Sequence, residues 1–339
     1  MRRRATTAAL ALATAAAVAA AVPDRAAAHH GVAAVGLAGP EGPGAALETT
    51  SALPLPERSL LVLARGEWVP YQRFAWARPE NKDHSAFGTL AIGYGITPWL
   101  TAYAFQPLSV KEQDGVGRNA GAGDPSLMLA LGLKWDDGLR LVPERESLDD
   151  LADWHFSAWA SSTLPLGTTG ARDDRGARLE PDMQTGFGEP SPVAGVAALK
   201  QLGDDLTFLA DASRQWFLTH RYEAGRYRFG AETRVNAALV WRALARPGLR
   251  LDLSGELNGL DLRRDREEGE GGAMVPLRAS GGRVLYAGAG VRVFVGRLSA
   301  ALGVRRAAAT ALDERPEQQG SEGLERFRAT LALSWLVGG

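Results

Sequence analysis

Cysteine is absent from the 339 residues, which excludes disulfides, thiolate metal sites, a cysteine nucleophile and a lipoprotein anchor. No sign of charge dominates: 38 basic and 39 acidic residues leave a formal net charge of −1. A nucleic-acid binder would need a basic stripe to displace counterions from phosphates, so nucleic acid is not an expected partner. Beyond the N-terminus, no apolar run is long enough to cross a bilayer as a helix. What is plentiful is glycine, 40 residues spread along the chain, together with nine tryptophans. Such dispersed glycine is unlike a low-complexity linker.

The N-terminus is patterned for export. Arg2-Arg3-Arg4 precede an alanine-rich apolar run from Ala8 to about Val22, and Ala26-Ala27-Ala28 follow. This is a basic region, an apolar region and a small-residue cleavage site. The run is too short and too rich in alanine for a good membrane anchor. The expected division is a signal peptide over 1–28, an N-terminal periplasmic segment over 29–58 and a single domain over 59–339.

Alternation with a period of two runs through that domain. In 227–241, Tyr227, Phe229, Val235, Leu239 and Trp241 share one parity, while Arg228, Glu232, Arg234 and Asn236 share the other. Leu251, Leu253 and Leu257 alternate with Arg250, Asp252 and Glu256, and Phe327, Leu331, Leu333 and Trp335 with Arg326, Arg328 and Ser334. A helix with charge at every second position could bury no face, so these are strands. The pattern predicts about twelve: 59–70, 84–95, 99–109, 126–134, 154–164, 191–201, 206–216, 226–242, 249–262, 283–295, 298–306 and 325–337. Long polar connections alternate with short ones such as 96–98, 202–205 and 296–297. The exception is 135–153, where Ser147-Leu148-Asp149-Asp150 could cap a short helix.

A soluble sandwich and a membrane barrel share this alternation. Three features favour the barrel. Several strands are long enough to cross a bilayer when tilted. Tyr94, Trp99, Trp154, Tyr227, Trp241, Phe327 and Trp335 fall near strand ends, as in an interfacial girdle. Turns are short on one rim and long on the other. The fold expected is all-β, a single antiparallel transmembrane β-barrel of about twelve strands, with outer-membrane lipid around it.

Gly93-Tyr94-Gly95-Ile96-Thr97-Pro98-Trp99-Leu100, Gly123-Asp124-Pro125-Ser126-Leu127 and Thr163-Leu164-Pro165-Leu166-Gly167 resemble a family of outer-membrane transporters named after the meta-pathway of phenol degradation. Its most specific parts are the Gly-x-Gly-Asp-x-x-Leu lead into one strand and the Leu-Pro-x-Gly exit from the next. The resemblance runs from about residue 30 to the C-terminus, with Leu166 in place of an expected Thr. It implies a Gram-negative outer-membrane barrel for uptake or passage of small molecules, with no solute defined, assembled with help from the barrel-assembly machinery.

With the apolar parity toward lipid, the expected lumen-lining residues are Arg65, Glu67, His155, Asp211, Arg228, Glu232, Arg234, Arg250, Asp252, Glu256, Arg292, Arg326 and Arg328. Ion pairs between the strand carrying Arg228, Glu232 and Arg234 and the one carrying Arg250, Asp252 and Glu256 are expected. They would form either a charged constriction that selects solutes or packing that keeps a narrow barrel shut. In 87–107, Leu90, Ile92, Tyr103 and Phe105 are expected on lipid. Thr89, Ala91, Gly93, Ala102, Ala104 and Gln106 are expected inside, where their small size leaves room.

His29-His30, at the mature N-terminus, could bind copper or zinc through imidazole and α-amine, or simply form a flexible end. Arg263–Glu270 could be a lipopolysaccharide or ion site, or a hydrated loop. A lipase-like reading would need a Ser–His contact. His155 with Ser157 or Ser161 would place one in the lumen, and no G-x-S-x-G occurs. The functional expectation is a passive channel that needs no cofactor, with a structural or surface-interaction barrel as the alternative.

Overall fold

An alternating strand satisfies its backbone only by pairing with a neighbour, and here the pairing continues until it closes on itself. The computed structural model describes residues 45–75, 81–113, 117–143, 152–313 and 322–338. The signal peptide, the His29–His30 pair and the capping box at 147–150 lie outside these residues.

In chain order the strands are β1 (Leu60–Pro70), β2 (Lys82–Thr97), β3 (Leu100–Gln113), β4 (Gly117–Ala122), β5 (Ser126–Trp135) and β6 (Leu139–Leu141). Next come β7 (Trp154–Thr163), β8 (Pro192–Gln201), β9 (Leu206–Gln215), β10 (His220–Tyr222), β11 (Gly225–Arg228) and β12 (Glu232–Arg246). The last six are β13 (Leu249–Leu262), β14 (Arg266–Glu268), β15 (Met274–Pro276), β16 (Gly282–Val295), β17 (Leu298–Leu312) and β18 (Arg328–Val337). Twelve of them form the wall, in the order β3-β2-β1-β18-β17-β16-β13-β12-β9-β8-β7-β5, and β5 returns to β3. All pairs are antiparallel. β3 pairs with β5 over Leu100–Phe105 and with β4 over Leu108–Gln113. So β4 and β5 are two halves of one wall strand, broken at Gly123-Asp124-Pro125.

Two-residue turns at Pro247-Gly248 and Gly296-Arg297 close hairpins at one rim, with Gly248 and Gly296 at positive φ. Except for the one between β5 and β7, whose flanking residues Trp135 and Trp154 pair at the short-turn rim, the long connections emerge at the other rim. There β10, β11, β14 and β15 form a small separate sheet. The strand expected over 226–242 is therefore two, β11 and β12. Gly230 breaks it: its amide donates to Asp265 and its Cα packs on the backbone of Arg263, closer than a side chain would permit.

Outward side chains form an apolar belt that includes Leu90, Ile92, Leu127, Leu239, Leu257 and Leu331, all around half exposed. So much contiguous apolar surface suits lipid and not water. Tyr94, Trp135, Trp241 and Trp335 mark the belt at the short-turn rim, and Trp68, Trp216 and Phe327 at the other. Tyr227 is not in the girdle. It is buried among the loops with Phe187, Phe217, Tyr222, Phe229 and Leu277.

Leu251 and Leu257 share the outward face of β13, but Leu251 lies close to the turn while Leu257 stands opposite Ala237 and Ala287 in mid-strand. Leu257→Arg is expected to cost about 2–4 kcal/mol and Leu251→Arg about 1 kcal/mol or less, because the penalty for a cation fades toward the interface. Equilibrium unfolding of the two variants in lipid checks the ranking; equal costs would mean that the belt is misplaced.

Candidate functional site

The lumen is not empty. Residues 45–55 run through it before 56–58 turn into β1, so the described part of the expected periplasmic segment lies inside the barrel. Ala45, Ala46, Leu47, Ala52, Leu53 and Leu55 are all buried there. The wall receives this segment with acceptors for its backbone amides. The Glu256 carboxylate accepts from the N–H groups of Leu47 (2.7 Å), Glu48 (2.9 Å) and Thr49 (2.9 Å) and from the Thr49 hydroxyl (3.1 Å). Asp211 Oδ2 accepts from Thr50 N–H at 2.7 Å, and Thr101 Oγ1 from Leu55 N–H at 2.9 Å. In the opposite sense, Arg65 donates to the Leu47 carbonyl and to the Glu48 carboxylate, and Arg305 also pairs with Glu48.

Small inward residues supply the room. A methyl on Gly93 would strike Tyr103 and Leu55, one on Gly95 the Pro56 backbone, and one on Gly132 Pro54. Leu47 occupies the space left by Gly290 and Gly303.

Eleven of the thirteen expected lumen residues lie on inward wall positions. Arg65, Glu67, His155, Asp211, Glu232, Arg234, Asp252, Glu256, Arg292 and Arg328 are buried, and Arg250 is partly so. Arg228 and Arg326 are not lumen residues. Arg228 belongs to the small outer sheet, and Arg326 is exposed just before β18 begins.

The charges pair along single strands: Arg65 with Glu67 (2.6 Å), Arg234 with Glu232 (2.7 Å) and Arg250 with Asp252 (2.6 Å). The expected pairs between β12 and β13 do not form in that way. The turn at Pro247-Gly248 sets a register that puts Arg234 opposite Leu260 and Glu256 opposite Ala238. His155 is fully buried at the short-turn end, with Nδ1 3.2 Å from the Asp153 carbonyl.

A second correction concerns β3. Tyr103 and Phe105 are buried inside, and Ala104 is exposed outside. The register opposes Gly93 to Tyr103 and Ala91 to Phe105, so each pair shares the inward face. An irregularity between Gly95 and Thr97 offsets the parity by one residue. Leu90 and Ile92 face outward and Thr89, Ala91 and Gly93 inward, as expected.

The long-loop end is also filled. Asp124, at the break between β4 and β5, accepts from Gly167 N–H and Phe187 N–H, both at 2.6 Å. Gly167 and Gly186 touch backbone to backbone. The Gly123-Asp124-Pro125 and Leu164-Pro165-Leu166-Gly167 motifs thus meet, and the connection that follows Gly167 toward β8 is drawn inward. There Lys82 reaches the Asp182 carboxylate at 2.7 Å, and Lys111 donates to the Asp182 and Gln184 carbonyls.

On the adjoining strands of the wall, Arg328 bonds Glu67 (2.9 Å) and Glu322 (3.0 and 3.1 Å), while the Tyr286 hydroxyl donates to Glu322 (2.8 Å). Burial pushes the Glu322 carboxyl up, but Arg328, Arg305 and Arg234 outweigh it and hold the group below the ordinary carboxylate range. Burial, with Glu322 beside it, raises Glu325 instead. Sequence reasoning missed Glu48, Lys82, Lys111, Asp182, Arg305, Glu322 and Glu325. Arg305 alone carried a signal, since it shares its parity with Ser299, Ala301 and Gly303 on β17.

No family model matches the sequence, and no curated relative does. Solved structures do match. The outer membrane channel COG4313 from Pseudomonas putida F1 aligns over 86% of this chain and 100% of its own, at 14% identity and a TM-score of 0.63. The NanC porin aligns over 82% and 99% at 9% identity and a TM-score of 0.42. The KdgM porin, solved with disordered oligogalacturonate, aligns over 81% and 98% at 7% identity and a TM-score of 0.39; these two are too distant to carry weight. The geometry and the first of these likenesses establish the fold: a closed twelve-stranded antiparallel barrel of the outer-membrane kind.

Proposed function

We propose that the chain is an outer-membrane channel for passive uptake of small solutes, held shut by residues 45–55 within its lumen. One observation carries the reading. The occluding segment joins the wall through hydrogen bonds, ion pairs and packing, so it can leave without disturbing the strand ladder. Tyr103, Phe105, Met128 and Trp159 line the wall around it, which suits solutes with an aromatic or apolar face. The sequence resemblance to a family of outer-membrane transporters agrees with a channel, and the fold is similar to that of an outer membrane channel; neither likeness names a solute. Export and insertion would draw on the signal peptide and the barrel-assembly machinery.

Planar-bilayer conductance tests the reading. The full-length protein is expected to show small or rare openings, and a variant lacking residues 45–55 steady, larger ones. Silence from both, with no swelling of liposomes by small aromatic solutes, would favour a purely structural barrel. The filled lumen is what keeps that second reading in play.

A further inference from the structure

Outside the barrel, at its long-loop rim, the small sheet overhangs the wall and leaves a groove of about 730 Å³. Its guanidinium side chains are Arg228, Arg263, Arg264, Arg266 and Arg283; its carboxylates are Asp261 and Asp313. Asp261 pairs with Arg283 (3.1 Å) and lies 4.0 Å from Arg263, and Asp313 pairs with Arg264 (2.7 Å). Arg228 and Arg266 stand directly opposite each other across β11 and β14. Like charges so placed repel, and among the described residues neither has an ion pair.

The register gives the groove its height. Val235, Gly259, Leu285 and Ala309 form one outward row across β12, β13, β16 and β17. Val235 and Leu285 are exposed and apolar, the last of the belt on this side. The next outward row is Arg214, Thr233, Asp261, Arg283 and Ala311, about 7 Å higher along the strands. Trp216, half exposed, lines the groove, and Arg214 lies over its ring at 5.8 Å. An aromatic ring at that level marks the boundary between hydrocarbon and headgroups.

We infer that this groove binds the phosphorylated sugar headgroup of an outer-leaflet glycolipid. The guanidinium fork matches phosphate oxygens in pairs, and a phosphate between Arg228 and Arg266 relieves their opposition. The volume exceeds what a lone phosphate would fill and is in the range of sites for larger polar ligands. The acyl chains of such a lipid would run down the belt past Leu285 and Val235. The inference rests on the outer-membrane placement of the barrel, so insertion is scored separately, by the heat-shifted gel mobility of the folded protein.

The experiment is native mass spectrometry of the full-length barrel in detergent. It is titrated with bis-phosphorylated lipid A, with the same lipid A dephosphorylated, and with inorganic pyrophosphate as competitor. Retention of the phosphorylated lipid, loss of the dephosphorylated one and failure of pyrophosphate to displace the bound lipid are expected. Arg228→Ala combined with Arg266→Ala is expected to weaken retention on the order of twentyfold. Exposed Arg283→Gln serves should the double variant not fold, and Arg242→Ala at the opposite rim should change nothing. Equal retention of both lipids, or an unaffected double variant, would overturn the inference. Displacement by pyrophosphate alone would also overturn it, since the groove would then take a soluble phosphate compound. A properly inserted barrel that binds neither lipid refutes the groove while leaving the channel reading intact.

Discussion

A chain carrying Glu256→Leu is expected to conduct in steps several times those of the unaltered protein and to expose its N-terminal segment to added protease. Leucine keeps the bulk of the side chain and leaves the β12–β13 and β13–β16 ladders untouched. It removes, however, the acceptor shared by the amides of Leu47, Glu48 and Thr49 and by the Thr49 hydroxyl. A buried donor left without a partner costs about 1–3 kcal/mol, so three orphaned amides together cost several kcal/mol. The segment can avoid that cost by leaving the lumen for water, which is why the effect falls on occlusion and not on the wall. Asp211→Leu removes one amide partner of the segment, and the Asn236 contact with it, and should open the lumen less. Identical conductance and identical cleavage for Glu256→Leu and the unaltered chain would refute the latch.

Arg328→Met is expected to give the largest loss of stability of any single change in the wall, about 3–5 kcal/mol. Arg328 is 1% exposed and serves Glu67 and Glu322, with Glu325 at 3.7 Å. Methionine fills much of the space but strands buried carboxylates without their counter-charge. Part of the cost will be met by residues 322–327 lifting away from the lumen. The measurements are the temperature at which the folded gel band disappears and the onset of cleavage in that loop. Arg328→Lys restores the charge but not the planar fork that spans Glu67 and Glu322, so it should recover only part of the loss. An unchanged transition for Arg328→Met would show that the carboxylates are satisfied without it.

The wall was legible in the sequence because lipid on one side and a polar interior on the other force a period of two, and twelve segments showed it. Leu90 and Ile92 could be placed from parity alone. Tyr103 and Phe105 could not, because the irregularity at Gly95–Thr97 offsets the parity and no periodicity announces a one-residue offset. Arg228 failed for a similar reason: the alternation of 227–241 runs unbroken across Gly230, while the chain does not. The occluding segment was invisible for a different reason. Ala45–Arg58 carries no alternation of its own, and its partners, Asp211 and Glu256, lie far along the chain. One trace of it was present, in the small residues on the inward parity of β2. They mark space, and at Gly93 that space is taken by Leu55.

The contacts that fill the lumen also set how fast the protein can form. Leu47 meets Glu256 across 209 residues, Glu48 meets Arg305 across 257, and Glu67 meets Arg328 across 261. Loop-closure entropy must be spent before contacts of such span return anything, so folding dominated by them is slow. Because residues 45–58 lead directly into β1, the segment is enclosed by the same event that joins β1 to β18. Until then both of those strands present unpaired edges. The interval before closure is therefore the period of greatest exposure to aggregation, and it ends in a single step that seals the seam and traps the segment together.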